Sequence, residues 1–454
     1  MTTAMGAALR RIQLGNALSA FGNGFTVPFL FVYVAQVRDL GANTAGLVLA
    51  TFAVAALVVL PFTGRVIDRR GPLSVAVAGA VAAAVGSMGL GLAASEPLVI
   101  AAAGVLGAGM AVIQPALATL IVWCSSTATR SRAFAMQFFL SNLGLGVGGL
   151  FGGLLVDTSS PSSFVRLFAI DAAMFLVLGA AVATVRLAKT PVFADAVPTD
   201  GSLGARGGWR ALFRDRAMVR LCVLGFVMFF ACYGQFESGL SAFAVEVAHV
   251  SPAMLGVALA ANTAVIVVAQ FVVLKLVERR RRSRVIALVG LVWTAAWVVA
   301  GSAGLVPGSQ VLGTAAIISA YALFGLGESM LSPTVAPLVA DLAPPSLLGQ
   351  YNSAFSLVKQ LALAIGPAVG GLMAGAGLYG TYIASLIVCS LGVTVLGLRL
   401  GRRLTAGQDN PLRALAGGSV PAPRKELKEL KELKEPVEAV EAEGRPAGTV
   451  TAAV

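Results

Sequence analysis

Twelve apolar stretches, each long enough to cross a lipid bilayer, run through most of this chain. A helix needs about 20 apolar residues to span the hydrocarbon core. The stretches cover residues 12–36, 44–63, 73–94, 98–123, 132–156, 164–187, 218–245, 252–276, 285–305, 310–339, 352–376 and 378–400. Backbone groups in lipid must bond to one another, and the alternation typical of a barrel strand is absent. We therefore predict an all-α polytopic membrane protein with twelve transmembrane helices, which we number spans 1 to 12.

The composition agrees with a chain whose surface faces lipid. Of 454 residues, 57% are hydrophobic and 12% are charged, whereas soluble domains carry about 25% charged residues. The net charge of +12 lies in short runs between the spans, so we expect no nucleic-acid partner. Four cysteines without metal-site spacing and a single histidine predict no metal site, no cofactor and no His-based catalytic centre.

The basic residues predict the orientation of the spans. If the twelve spans alternate in direction, all but three of the 33 Lys and Arg lie on the side that holds both termini. The exceptions are Arg38, Arg166 and Lys359. The positive-inside rule then places both termini in the cytoplasm, in the plasma or inner membrane of the cell. The basic start of the chain reads as the entrance to an uncleaved first span.

Four segments follow from this pattern. Residues 1–187 form an N-terminal six-span half, 188–217 a cytoplasmic linker, 218–403 a C-terminal six-span half, and 404–454 a polar tail. The tail contains KELKELKELKE at 425–435, where leucine recurs every three residues. Such a repeat drifts around a helix without forming a lasting seam, which favours a disordered, solvated and partly helical tail over a partner-binding helix. We also expect a monomeric protein.

The two halves resemble each other in sequence. At an offset of 218, Gly107-x-Gly109 and Gln114-Pro115 match Gly325-x-Gly327 and Ser332-Pro333. At the same offset, two longer rows of small residues correspond. They are Gly144, Gly148, Gly149, Gly152 and Gly153 in span 5, and Ala362, Gly366, Pro367, Gly370 and Gly371 in span 11. At an offset of 210, residues 66–70 match 276–280. We infer two parallel six-span repeats, a design that places the substrate site between the halves.

The loop after span 2 resembles the signature loop of the major facilitator superfamily. It contains Gly64, Arg65, Asp68, Arg69, Arg70 and Gly71. The glycine row of span 5 resembles the antiporter motif of that superfamily, although Gly149 stands where proline is usual and only span 11 keeps the proline, as Pro367. The resemblance covers about residues 1–400 and implies that Asp68 and its neighbours latch the halves together. Drug–proton antiporters of the superfamily often carry an arginine before the Gly-x-Gly of span 4, and here that residue is Ala103.

Polar and aromatic residues recur on single faces of four spans. Polar groups are costly in lipid, so each is a candidate for a central substrate cavity unless it bonds to a neighbouring helix. The predicted cavity residues are Asn16, Asn23, Gln114, Gln137, Phe230, Tyr233, Glu237, Tyr321, Glu328 and Lys359. A carboxyl that loses water favours its neutral form, so we predict proton coupling at Glu237, Glu328 or Asp171. Asp171 has a structural alternative in a pair with Arg166, and Lys359 can instead extend to the cytoplasm.

These features favour a secondary active transporter that exports small amphipathic molecules in exchange for protons. The chain has no phosphate-binding loop, so a gradient must supply the energy. A proton-coupled importer of a small nutrient is the first alternative, although only Lys359 supplies a basic group to the cavity. A membrane enzyme or a non-transporting receptor is the second, and neither a nucleophile constellation nor a signalling domain is evident.

Overall fold

The computed structural model describes residues 2–157, 160–186, 208–236, 238–305 and 309–416. Within these ranges the chain is helical and contains no strand. Twelve helical segments are long and apolar enough to cross a membrane, which confirms the predicted fold class. Spans 1 to 12 run Gly6–Val37, Gly41–Arg70, Pro72–Leu92, Glu96–Trp123, Arg130–Leu155, Pro161–Ala183, Arg216–Glu246, Pro252–Val277, Arg282–Leu305, Gln310–Leu342, Pro345–Gly375 and Tyr379–Gly401. Most of the predicted linker and the repeat at 425–435 lie outside the described residues.

Helix starts follow the positions of proline. Spans 3, 6 and 8 each begin with proline as the first helical residue, where its missing N–H is not needed. Gly71 separates spans 2 and 3 with a φ of 85°, a left-handed conformation that favours glycine. Short helices Gly208–Arg214, Ala406–Asp409 and Pro411–Ala416 precede span 7 and follow span 12.

Three spans are interrupted where the sequence predicts continuous helices. In span 1 the α-helix Thr2–Thr26 gives way to the 3₁₀ turn Val27–Phe29, the helical turn Leu30–Val32 and the π-helical turn Tyr33–Val37. In span 7 the helix Arg216–Ala231 is followed by the 3₁₀ turn Tyr233–Gln235 and the helix Gly239–Glu246. In span 10 the helices are Gln310–Leu331 and Val335–Leu342, with Pro333 between them. The sequence predicts that the polar and aromatic residues of span 7 share one helical face. This prediction is wrong beyond Ala231, because the break changes the helical register there.

The two halves pack in the same way. In the first half, span 1 packs on spans 5 and 6, span 3 on spans 4 and 6, and span 2 on span 4. In the second half, the equivalent contacts join span 7 to spans 11 and 12, span 9 to spans 10 and 12, and span 8 to span 10. The halves meet where span 2 packs on span 11 and span 5 on span 8. This correspondence confirms the two six-helix repeats.

The glycine rows lie at the closest helix crossings. A side chain at Gly148 would overlap the carbonyl group of Phe21, so span 5 can approach span 1 only with glycine there. In the second half, the Cα of Gly234 lies 2.7 Å from where a Cβ on Gly366 would be, so spans 7 and 11 cross in the same manner. Gly144, Gly152 and Gly370 also face the backbone of the opposite helix, whereas Gly153 has only the ring of Phe29 nearby and Pro367 is exposed.

Candidate functional site

A buried carboxyl in the second half gathers polar groups from four spans. Glu328, on span 10, is 4% exposed, and its Oε1 accepts a hydrogen bond of 2.9 Å from Asn262 Nδ2 on span 8. The side chain of Tyr233, at the break in span 7, interacts with the same carboxyl group. Each of these residues lies at least ten residues, or about 15 Å of helix, from either end of its span. The cluster is therefore deep in the membrane.

Lys359 of span 11 completes this cluster. Its ammonium group interacts electrostatically with Glu328, and its Nζ lies 5.3 Å from the centre of the Phe229 ring. An aromatic face attracts a cation at this distance. Lys359 is half-buried and points into the protein, so the alternative that it extends to the cytoplasm is wrong. We call Tyr233, Asn262, Glu328 and Lys359 the four-span cluster.

Three other predicted cavity residues make direct contacts with side chains or backbone of the bundle. Asn16 Nδ2 donates a 2.6 Å hydrogen bond to Ser141 Oγ and joins spans 1 and 5. The ring of Tyr321 is 1% exposed, and its hydroxyl donates to the carbonyl of Phe236. Phe230 is half-buried and stacks on Phe226 with ring centres 6.1 Å apart. The contacts of Asn16 and Tyr321 are those expected of residues that hold helices together, whereas Phe226 and Phe230 stack within one helix.

The remaining predicted cavity residues are less constrained. Gln137 is half-buried, and its Oε1 is enclosed without a hydrogen-bond partner. Asn23 is half-buried and Gln114 is exposed. Glu237 lies outside the described residues. Of the predicted acids, Glu328 alone is seen to share its surroundings with an aromatic hydroxyl and an ammonium group among the described residues.

Asp171 forms a separate cluster inside the first half. It is fully buried on span 6, and its Oδ2 accepts hydrogen bonds from Ser87 of span 3 at 2.7 Å and Thr26 of span 1 at 3.3 Å. Its Oδ1 is enclosed and has no hydrogen-bond partner. The predicted pair with Arg166 is wrong, because Arg166 is exposed on the helix surface while Asp171 points into the bundle. Helix Pro161–Ala183 begins earlier than predicted, which places Asp171 deeper in the bilayer.

The end of span 2 is bonded to the start of span 11. Asp68 Oδ1 accepts a 2.6 Å hydrogen bond from the backbone N–H of Gly349, and its Oδ2 accepts from the backbone and side chain of Gln350. These N–H groups belong to the first turn of helix Leu348–Gly375, where the helix dipole favours a negative charge. Gly64 allows the approach, since a Cβ there would lie 2.5 Å from the Cα of Gln350. Arg65, Arg69 and Arg70 are exposed and make no ion pair within the described residues.

Two ion-pair groups join the halves on the same face of the bundle. Asp341, at the end of span 10, accepts from Arg130 of span 5 through one oxygen and from Arg282 of span 9 through the other, the latter at 2.6 Å. Glu278 of span 8 accepts two 2.8 Å hydrogen bonds from Arg132 of span 5. The face that carries these groups and Asp68 also carries the ends of the described chain, and we call it the basic face. Here the two halves are closed against each other.

Several of these partners are not among the predicted site residues. Asn262 lies on the buried stripe of span 8 with Ile266 and Gln270, a spacing of four residues that marks it as inward-facing. A scan of span 8 for polar residues would have found Asn262. Arg130 was assigned to topology alone, because its partner Asp341 is more than 200 residues away and only the fold brings the two together.

Known proteins resemble this chain in sequence and in fold. A family model described as Major Facilitator Superfamily matches residues 12–318 and 248–439. The MFS-type transporter YhjO of Bacillus subtilis (strain 168) is 24% identical over 367 residues, which cover 81% of this chain and 86% of YhjO. YdeE of Escherichia coli (strain K12), also an MFS-type transporter, is 24% identical over 377 residues, covering 81% of this chain and 90% of YdeE. The crystal structure of the E. coli fucose:proton symporter FucP superposes with a TM-score of 0.68 at 14% identity, over 87% of this chain and 98% of FucP.

Proposed function

The chain belongs to the major facilitator superfamily, and we propose that it exports small amphipathic molecules in exchange for protons by alternating access. Family membership and the transporters among its relatives make it a multi-pass membrane transporter of this superfamily. The coupling ion, the direction of transport and the substrate class are our proposals. They rest on the four-span cluster and on the basic face.

The observation that carries the proposal is the position of Glu328. Its carboxyl group is deep in the membrane, hydrogen-bonded to Asn262, and balanced by the ammonium group of Lys359. Burying a carboxyl group at this depth in the membrane is energetically costly, so its presence indicates a function. Protonation of Glu328 removes the negative charge that balances Lys359. Binding of a proton to the cluster therefore changes the net charge that a substrate meets in the cavity.

Alternating access requires that the closed basic face open. In the arrangement seen here, Asp68, Asp341 and Glu278 hold the halves together on that face. Opening breaks these contacts and exposes the four-span cluster to the solution at the basic face. The proton on Glu328 can then exchange with that solution instead of the one on the opposite side of the membrane. Span 7 is interrupted at Tyr233 and span 10 a few residues after Glu328, and such interruptions let part of a span move without the rest.

Export is favoured by the glycine rows and the aromatic groups. The span 5 row resembles the antiporter motif, and Gly148 sits at the crossing with span 1. Phe229, Phe230 and Tyr233 supply apolar and aromatic surface on span 7 beside Lys359. Small-molecule sites usually combine such surface with a few polar groups.

A proton-coupled importer is the second candidate, and Lys359 is the observation that favours it. A half-buried ammonium group can bind a polar or anionic nutrient, and FucP, which shares the fold, is a fucose:proton symporter. Proteoliposomes with a pH dye inside separate the two candidates. When an active compound is supplied outside, a symporter acidifies the interior, whereas an antiporter makes the interior alkaline. A library screened by this signal also identifies the substrate.

We further propose that the basic face is cytoplasmic, as the positive-inside rule requires. Ser95, before span 4, lies at the opposite end of the bundle from Arg403, after span 12, and both are exposed. Single cysteines at these positions, in a background without native cysteines, are expected to react with an impermeant maleimide from opposite sides of the membrane. Reaction at Ser95→Cys in intact cells, with protection at Arg403→Cys, supports the proposal; the reverse pattern contradicts it.

A further inference from the structure

A groove of about 730 Å³ opens at the basic ends of spans 8 and 9 and is also lined by residues of span 10. It is distinct from the four-span cluster, because none of the residues of that cluster lines it. Its wall is apolar and includes Leu276, Leu288, Val292, Leu326 and Met330. Its rim consists of arginines: Arg279, Arg280, Arg281, Arg284 and Arg413. Asn410 also lines the groove. A groove with an apolar wall and a mainly cationic rim is suited to a ligand that has an apolar part and an anionic part.

The charge on this rim is not balanced within the described residues. Arg279, Arg280, Arg284 and Arg413 are exposed and form no ion pair there. Nearby Glu278 is already bound by Arg132 through both oxygens. Asp409 lies 3.9 Å from Arg281, but its two oxygens accept hydrogen bonds from the backbone and hydroxyl of Ser283. The rim carries five arginines without enough acid to neutralise them, so it attracts an anion.

The depth of the groove indicates where that anion comes from. Four of the five arginines lie at the ends of spans 8 and 9, which is the level of the lipid headgroups. Leu276 of span 8 and Leu288 of span 9 are 66% and 48% exposed. They lie further into the membrane than the arginines, so their exposed surface faces lipid hydrocarbon. A ligand that fills both parts places a phosphate at the interface and a chain within the bilayer.

We propose that this groove binds an anionic glycerophospholipid, with its phosphate among the rim arginines and an acyl chain along the apolar wall. Basic pockets between transmembrane helices bind anionic headgroups in this way. Arg413 belongs to the segment after span 12, which docks on the basic face where Asn410 donates to the carbonyl of Arg279 and Asp409 bonds to Ser283. The bound lipid therefore also holds this segment against spans 8 and 9.

Lipid titration of the purified full-length protein tests the proposal. Native mass spectrometry in detergent counts bound dioleoylphosphatidylglycerol, with dioleoylphosphatidylcholine as the zwitterionic comparison and glycerol 3-phosphate as a headgroup without chains. The site variant is Arg280→Gln/Arg284→Gln/Arg413→Gln. The matched control is Arg10→Gln/Arg210→Gln/Arg214→Gln, which removes three exposed arginines on the same face.

We expect the wild type to bind phosphatidylglycerol at least tenfold more tightly than phosphatidylcholine. The site variant is expected to lose this preference, because each arginine near a lipid surface contributes on the order of a fivefold change in affinity. The control is expected to keep it within twofold, and glycerol 3-phosphate is expected not to compete. Leu288→Gln tests the wall and is expected to weaken the binding of phosphatidylglycerol.

Three results would overturn the proposal. They are equal binding of the two lipids by the wild type, equal losses in the site and control variants, and displacement of the lipid by glycerol 3-phosphate at equal concentration. The first result would show that the groove does not select an anionic headgroup. The second would show that the selection comes from general surface charge, and the third that the groove binds free phosphate without a lipid chain. If the triple site variant is not monodisperse, Arg284→Gln alone replaces it, with an expected loss of about fivefold; an unchanged affinity in that variant also overturns the proposal.

Discussion

Asp68 and Glu278 occupy equivalent positions in the two repeats, and each joins its own half to the other. Asp68 ends span 2 and bonds to the first turn of span 11, while Glu278 ends span 8 and bonds to Arg132 near the start of span 5. The two contacts differ in chemistry. Asp68 accepts three hydrogen bonds from a helix N-terminus and an amide, whereas Glu278 pairs with an arginine whose side chain is 45% exposed. We expect the Asp68 contact to contribute more to closure, because Arg132 is partly solvated although its pair with Glu278 is bidentate.

Asp68→Asn is expected to weaken closure of the basic face. The asparagine amide has no negative charge to interact with the helix dipole. Its NH₂ group would also face the N–H groups of Gly349 and Gln350, which donate to the carboxylate of Asp68. A hydrogen bond to a charged group contributes about 1.5–3 kcal/mol, so we expect the closed population to fall by about tenfold or more relative to the open one. The measurement is the labelling rate of a cysteine at Ser353, which is 1% exposed near this face.

Glu278→Gln serves as the matched control. Its ion pair is partly solvated and worth up to about 1 kcal/mol, so labelling at Ser353→Cys is expected to rise by less than fivefold. Equal labelling rates in Asp68→Asn and the wild type, with normal expression of both proteins, would remove Asp68 from the latch.

The positions of the spans and the internal repeat can be predicted from the sequence, because each follows from a physical requirement. A bilayer demands long apolar helices, so hydropathy alone located all twelve spans. Glycine leaves a distinctive pattern wherever two helices must touch, so the rows around Gly148 and Gly366 revealed the repeat. The sequence could not show how spans 1, 7 and 10 are interrupted. Pro28 and Pro333 lie at two of those interruptions, but proline is also tolerated within continuous helices such as span 2, which contains Pro61.

Partners of the polar residues were harder to predict. A polar stripe on span 1 looks the same whether it faces a cavity or another helix, and Asn16 proved to face Ser141. Arg166 was the nearest opposite charge to Asp171 in sequence, yet the bundle interior supplies two hydroxyl groups instead. Long-range partners such as Asp341 and Arg130 depend on how the halves dock, which local patterns do not encode.

Gly148→Ala is expected to prevent stable folding or to abolish transport. A methyl group there would collide with the carbonyl of Phe21, and backbone atoms on both sides cannot move away without separating spans 1 and 5. Gly153→Ala is the control in the same row, because its added carbon would lie 3.8 Å from the ring of Phe29, an ordinary contact. Yield and thermal unfolding in detergent compare the two. Similar stability of both variants would contradict the proposed helix crossing.

Asp171→Asn is expected to keep gradient-driven transport, which would assign Asp171 a structural role and withdraw it from the coupling candidates. Asparagine can still accept from Ser87 and Thr26 and is close to the same size, and the bonds of Asp171 stay within the first half. Arg166→Gln is expected to change neither stability nor transport, since Arg166 is exposed. Transport driven by a pH gradient in proteoliposomes is the measurement. Its loss in Asp171→Asn, with unchanged thermal stability, would restore Asp171 as a proton site.

In the mechanism that we propose, Glu328 carries the proton. Glu328→Gln keeps the hydrogen bond from Asn262 but removes the titratable group and the charge that balances Lys359. Reconstituted protein should be assayed twice with the same substrate, once for uptake driven by a pH gradient and once for downhill exchange without a gradient. We predict that Glu328→Gln loses the driven flux by at least tenfold and keeps exchange within about threefold of the wild type. Wild-type driven flux in Glu328→Gln would contradict the account, and Glu237 would then be the next acid to test.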